Sequence, residues 1–135
     1  MAFNSEAYIW ADDTPQNCPP DHAKPSVGRY YRAVKNIPPE NSDFMRWIDE
    51  PHNFGKTRSC AACGVSVFSS IEGVVNMIKR FPNRWGKFPN HGVMQGDLEE
   101  IIGVISQEGK NLEHYNIWVQ EGVELRDYFI HTVEI

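Results

Sequence analysis

Among the hydrophobic and polar positions of the chain, Gly28 to Val34 (GRYYRAV), rich in aromatic residues and bounded by Gly, predicts the first strand. Tyr30, Arg32 and Val34 fall on one face, and Arg29, Tyr31 and Ala33 on the other. Asn36-Ile37-Pro38-Pro39 ends the run. Ser42 is placed to cap a short helix through about Asp49, with Phe44, Trp47 and Ile48 at helical spacing. Glu50 to Ser59, with Pro51 and Gly55, reads as a loop. The pattern then sharpens. Val65-Ser66-Val67-Phe68 has strand composition. Ser69 and Glu72 have the spacing of a capping box, and Ile71, Val74, Val75 and Ile78 mark one helical face that Pro82 terminates.

Beyond Pro89 the pattern changes to short β-like runs separated by turns: Gly92 to Gln95, Ile101 to Ser106 and Tyr115 to Val119. Val123 to Asp127 suggests a helical turn, and Asp127 to Ile135 alternates as a last strand. Towards the N-terminus, Pro15, Pro19, Pro20 and Pro25 fix φ and remove backbone donors, so residues 1–27 read as an irregular arm. Tyr8, Ile9 and Trp10 are apolar enough to dock it, in a short strand at most. Residues 28–135 form the domain. The expected class is α+β, with small antiparallel or mixed sheets and two or three short helices. No internal repeat is visible at a period of about 20–50 residues, which excludes solenoids and propellers.

Composition changes this picture in two ways. The 135 residues are 41% hydrophobic and 12% aromatic, enough for one folded domain with a core. The formal net charge is -5, and the densest basic group, Lys79, Arg80, Arg84 and Lys87, suits a solvated helix end better than a duplex-binding stripe. Nucleic acid is therefore a poor candidate partner. No run of about 18 apolar residues is present, so no membrane-spanning helix is expected. Met1 to Asp13 has neither a basic start nor an apolar stretch of signal-peptide length, and the three cysteines are an odd number. The expectation is a soluble, cytoplasmic protein.

Three constellations could carry chemistry. Cys60-Ala-Ala-Cys63 has zinc-knuckle spacing, and with Cys18 and His22 it could supply four tetrahedral ligands. The same cysteines could instead pack as small buried hydrophobes, the commoner fate, or serve redox chemistry. His114 opens an aromatic run, His114-Tyr115-Asn116-Ile117-Trp118, and could present a titratable group at a cleft rim. Arg32, in mid-strand among aromatics, requires a partner: a structural ion pair, or a phosphate or carboxylate held by the guanidinium fork. No Walker A loop, Gly-x-Gly-x-x-Gly, Gly-x-Ser-x-Gly or His-Glu-x-x-His occurs.

A strand carrying Arg32, then Gly64-Val-Ser-Val-Phe68 feeding a capped helix, then His114-Tyr115-x-x-Trp118, resembles small uncharacterised bacterial proteins of ADP-ribosyltransferase-like fold over roughly residues 28–135. The resemblance implies NAD in a cleft between two small sheets, with Arg32 touching the dinucleotide and Ser66 supporting the pocket. Position 68 is Phe where that pattern has a second Ser, and no Gln-x-Glu or Glu-x-Glu fills the glutamate role. His114 would be a substitute polar group. Two functional classes follow. One is a non-enzymatic interaction or immunity-type domain with a protein partner, its cysteines packed or holding zinc. The other is an NAD- or nucleotide-binding domain in which Arg32, Ser66 and His114 surround one small anionic ligand.

Overall fold

The computed structural model describes residues 8–135. Seven strands form one sheet, β1 (Lys24–Pro25), β2 (Gly28–Val34), β3 (Val65–Phe68), β4 (Gly92–Leu98), β5 (Gly103–Gln107), β6 (His114–Val119) and β7 (His131–Val133). Their order is β1-β5-β6-β3-β2-β4-β7, and each neighbouring pair is antiparallel. The helical content is α1 (Ile71–Arg80), a one-turn α2 (Pro82–Trp85) and several 3-10 turns.

This corrects the α+β expectation of small sheets with two or three short helices. The runs before and after α1 do not form separate sheets, because β3 from the first half pairs with β6 from the second. The helix expected from Ser42 to Asp49 is two 3-10 turns, Asn41–Phe44 and Trp47–Asp49, divided by extended backbone at Met45 and Arg46. Arg46 holds Asp13 through both guanidinium nitrogens at 2.8 Å and Asp49 at 2.6 Å, which fixes the break. The last strand is shorter than the alternation suggests, since a 3-10 turn occupies Leu125–Tyr128.

Alternation along β3 divides the interior. Val65 and Val67 join Val34, Ile117 and Phe129 in the larger core, while Phe68 packs with Val74, Trp85 and Val93 beneath α1. The helix face is shifted from the expected one: Val74 is fully buried, Val75 and Ile78 partly so, and Ile71 is exposed. Its cap also moves by one residue, because Ser70 Oγ accepts the Gly73 amide and donates to Glu113 Oε1. Gly103 opens β5 at φ 154°, where a Cβ would lie 1.9 Å from the Trp118 carbonyl oxygen, so only glycine fits.

The arm is not loose. Tyr8 donates to the Glu100 carbonyl at 2.7 Å without forming a strand, and β1, inside residues 1–27, pairs with β5. Residues before Tyr8 in that arm lie outside the described residues. Cys18 and Cys60 form a disulfide across 42 positions. The Arg46 guanidinium holds the Asp13 carboxyl below its ordinary range, so this ion pair stabilises the docked arm at neutral pH and is lost as acid protonates Asp13.

Two outcomes test this architecture. Val74→Asp places an unpaired charge under α1 and should destabilise the fold by about 3 kcal/mol or more in a denaturant titration, whereas a variant with an unchanged midpoint would move the core elsewhere. Replacing Cys18 and Cys60 together by Ser should cost about 4 kcal/mol on loop-closure entropy, read as a lower Tm that reductant does not lower further.

Candidate functional site

β2 and β3 pair at a single position, Tyr31 with Phe68, whereas β2 pairs with β4 along all seven residues. Beyond Tyr31 the two strands part. Arg32 leaves β2 on the side of Tyr30 and Val34, and its guanidinium fills the split. Nη1 donates to the Ser66 carbonyl at 2.6 Å and Nε to the Asp43 carbonyl at 2.8 Å. The partner predicted for Arg32 was a carboxylate or a bound anion; what holds it is a pair of main-chain oxygens. Burial pushes the guanidinium pKa down, and the Glu50 and Asp43 charges act against that shift. Asp43 itself is buried and satisfied, its carboxylate accepting the Lys35 and Glu40 amides at 2.7 and 2.9 Å.

Ser66 faces away from the larger core because Val65 and Val67 take that side. β3 and β6 place Ser66 opposite Asn116 and Phe68 opposite His114, so Ser66 and His114 are diagonal neighbours on one face. Ser66 Oγ lies 2.7 Å from His114 Nε2. His114 Nδ1 lies 3.1 Å from the Glu108 carbonyl, and the ring packs 5.4 Å from Phe68. The β5–β6 loop creates that geometry: the Glu108 amide bonds the His114 carbonyl and Gln107 Nε2 bonds the Gly109 and Asn111 carbonyls.

These contacts select between the two tautomers of a neutral ring. A carbonyl oxygen only accepts, so Nδ1 carries the hydrogen. Neutral His114 then presents its lone pair at Nε2, and Ser66 donates to it.

Two cavities meet here. One, of about 390 Å³, is lined by Arg32, Ser66 and His114 with Lys35, Arg80, Arg84 and Lys110 among the surrounding side chains. Trp85 lines it too, and its buried Nε1 donor has no acceptor among the described residues. The other, of about 440 Å³, is walled by Trp47, Ala61, Ala62 and Gly64, and it reaches the same Ser66 and His114. A Cβ on Gly64 would press to 3.1 Å from Asn116 Cβ, so the bare backbone keeps that wall close to β6. The three residues singled out in the sequence therefore line one cleft, with Arg32 reaching it through the strand split.

The zinc arrangement is corrected. Cys18 and Cys60 are bonded to each other, so neither offers a thiolate, and His22 is exposed. No group of three or more His, Cys, Asp or Glu suited to a metal occurs among the described residues. Cys63 is the free thiol, buried against Ala23, Val104 and Trp118, and burial raises its pKa. An odd cysteine count left room for one bridge, and the bridge joins positions too distant for any local motif to reveal. The cationic cleft lining was also missed: Lys35, Arg84 and Lys110 are scattered in sequence and meet only through the fold.

Comparison with protein-family models, curated proteins and solved structures found no match. The fold and site thus define the chain by architecture: one antiparallel sheet whose β2–β3 split opens a cleft onto a serine–histidine pair.

Arg32→Lys tests how the split is held. An ammonium cannot span both carbonyls in the planar fork, so the variant should lose about 1–3 kcal/mol in chemical denaturation despite its retained charge. Unchanged stability would mean that the two carbonyl bonds are dispensable.

Proposed function

We propose that the protein binds a small anionic ligand, with phosphate-bearing nucleotides and NAD as the first candidates, in the cleft above Ser66 and His114. The observation that carries this reading is electrostatic. The chain has a net charge of -5, yet Arg32, Lys35, Arg80, Arg84 and Lys110, five of its 13 basic residues, line one cleft with only Asp43, Glu50 and Glu108 against them. A concave site of one sign concentrates ligands of the other. Asp43 is spent on backbone amides, and Glu50 pairs with Arg84 at 3.4 Å and with His52 at 3.2 Å.

Convergent polar groups in a cleft favour ligand binding over the interaction or immunity-type reading, which is better served by a filled core. No helix among the described residues is long and apolar enough to cross a membrane. The Cys18–Cys60 bridge supports an oxidising compartment in place of the cytoplasm expected from the sequence.

The test is a thermal-shift titration with pyrophosphate, ATP and NAD. At a hundred times its Kd, a ligand of the native state stabilises by about 2.7 kcal/mol. Arg80→Glu with Lys110→Glu alters two exposed residues and should weaken binding at least about tenfold without lowering the Tm of the free protein. No shift with any of the three anions would refute the proposal.

A further inference from the structure

Ser66 and His114 show more than a binding pair requires. The hydroxyl donates to an imidazole nitrogen at 2.7 Å, and the opposite nitrogen is anchored on a main-chain carbonyl at 3.1 Å. Nucleophile, base and orienting group in that sequence are the arrangement by which a serine is activated. Phe68 packs against the ring, which limits its rotation. The orienting group is neutral. It sets the tautomer, as a carboxylate would, but gives less electrostatic support to the imidazolium.

The pair lies at the junction of the two cavities, and these differ in chemistry. The first is cationic. The second is walled by Ala61, Ala62, Gly64 and the Trp47 ring, with Ser59 and Asn116 as its other polar lining besides the pair itself. A bond held at Ser66 would have an anionic group on one side and a small apolar group on the other. Arg32, bonded to the Ser66 carbonyl, uses two of the five N–H donors that a guanidinium carries. The side-chain amide of Asn111 also lines the cationic cavity, its Oδ1 already accepting the Glu113 amide. Both carry N–H donors in the lining of the cavity that Ser66 and His114 also line.

We propose that Ser66 is a catalytic nucleophile and His114 its general base, acting on an ester that joins a short apolar acyl group to an anionic alcohol. Ser66 Oγ attacks the carbonyl carbon while its proton passes to His114 Nε2. The tetrahedral intermediate collapses, the ester C–O bond breaks, and the alcohol leaves into the cationic cleft with the proton from His114. Water, deprotonated by the same nitrogen, then cleaves the Ser66 acyl ester, releases the acid and restores the hydroxyl. The anionic half of this substrate class rests on the ligand-binding reading above; the nucleophile does not.

Two measurements separate these claims. Diisopropyl fluorophosphate, which loses fluoride to an activated serine, should add one diisopropylphosphoryl group to the wild-type chain, and peptide mapping should place it on Ser66. His114→Gln should slow the labelling by about 10²–10⁴-fold, the usual contribution of a general base. An unlabelled wild type, a label on another residue, or an unchanged rate in a folded His114→Gln would overturn the proposal. The wild-type map decides it even where the variant fails to fold. In parallel, pyrophosphate is titrated into Ser66→Ala. Binding there, with no label on the wild type, removes the covalent step and leaves the anion site; labelling at Ser66 without pyrophosphate binding removes the anionic alcohol and leaves the nucleophile.

Discussion

The architecture turns on one cation in a gap between two strands. An antiparallel sheet satisfies its amides and carbonyls by pairing neighbours, and an unpaired buried carbonyl is costly. β2 and β3 pair only at Tyr31 and Phe68, so the Ser66 carbonyl would be left without a ladder partner as the strands part. Arg32 resolves this with a side chain long enough to cross the gap and donors enough to bond Asp43 as well. A neutral residue would let the strands close or leave carbonyls bare. The cleft is therefore a defect in the sheet kept open by a guanidinium. Arg32 thus belongs to the structure of the site before it belongs to any ligand.

Electrostatics build on that frame. Burying a guanidinium is unfavourable unless its hydrogens are bonded and opposite charge is near, and Glu50 and Asp43 lie close enough to offset part of the cost. The acids around the cleft are largely committed to backbone amides or to neighbouring cations, while Arg80 and Lys110 are exposed at its edge. An acidic protein thus presents a basic concavity. Overall composition and local field point in opposite directions, and the local field governs what enters the cleft.

How much of this was legible in the sequence depended on range. The β3–α1 unit was, because the hydrophobic period changes from two to about 3.6 within a few residues and Pro82 stops the helix. Its cap shifted by one position since Ser69 and Ser70 offer the same chemistry, and only Ser70 reaches both Gly73 and Glu113. The Ser42 helix failed on a contact 33 positions away, where Arg46 is drawn to Asp13. A single sheet was illegible because its order places β3 between β6 and β2, a register that no local window contains. Arg32 and His114 stood out as polar groups beside aromatic strand positions, and Ser66 entered through the family resemblance. Their mutual geometry did not: the Ser66–His114 bond depends on the β3–β6 register, and the histidine tautomer on the Glu108 carbonyl in the β5–β6 loop that precedes it.

The disulfide links the least legible part of the chain to the wall of the candidate site. Cys60 begins the turn that runs through Ala61 and Ala62 to Gly64, and this turn is the wall of the apolar cavity beside Ser66. Trp118 Nε1 bonds the Cys60 carbonyl at 2.9 Å and Asn116 Nδ2 reaches the Ala61 carbonyl at 3.4 Å, fastening the turn onto β6. The bridge to Cys18 closes it from the other side and brings the arm across the small core around Cys63, Val104 and Trp118. Alanine and glycine make a smooth wall but contribute few contacts of their own, so a wall built from them must be held from outside. Here a covalent bond, an indole hydrogen bond and a docked arm supply that support. The cysteine spacing that suggested a metal site therefore has a different use: Cys60 anchors the turn, Cys63 fills the core beneath it, and the residues between them shape the cavity that ends at the Ser66 hydroxyl.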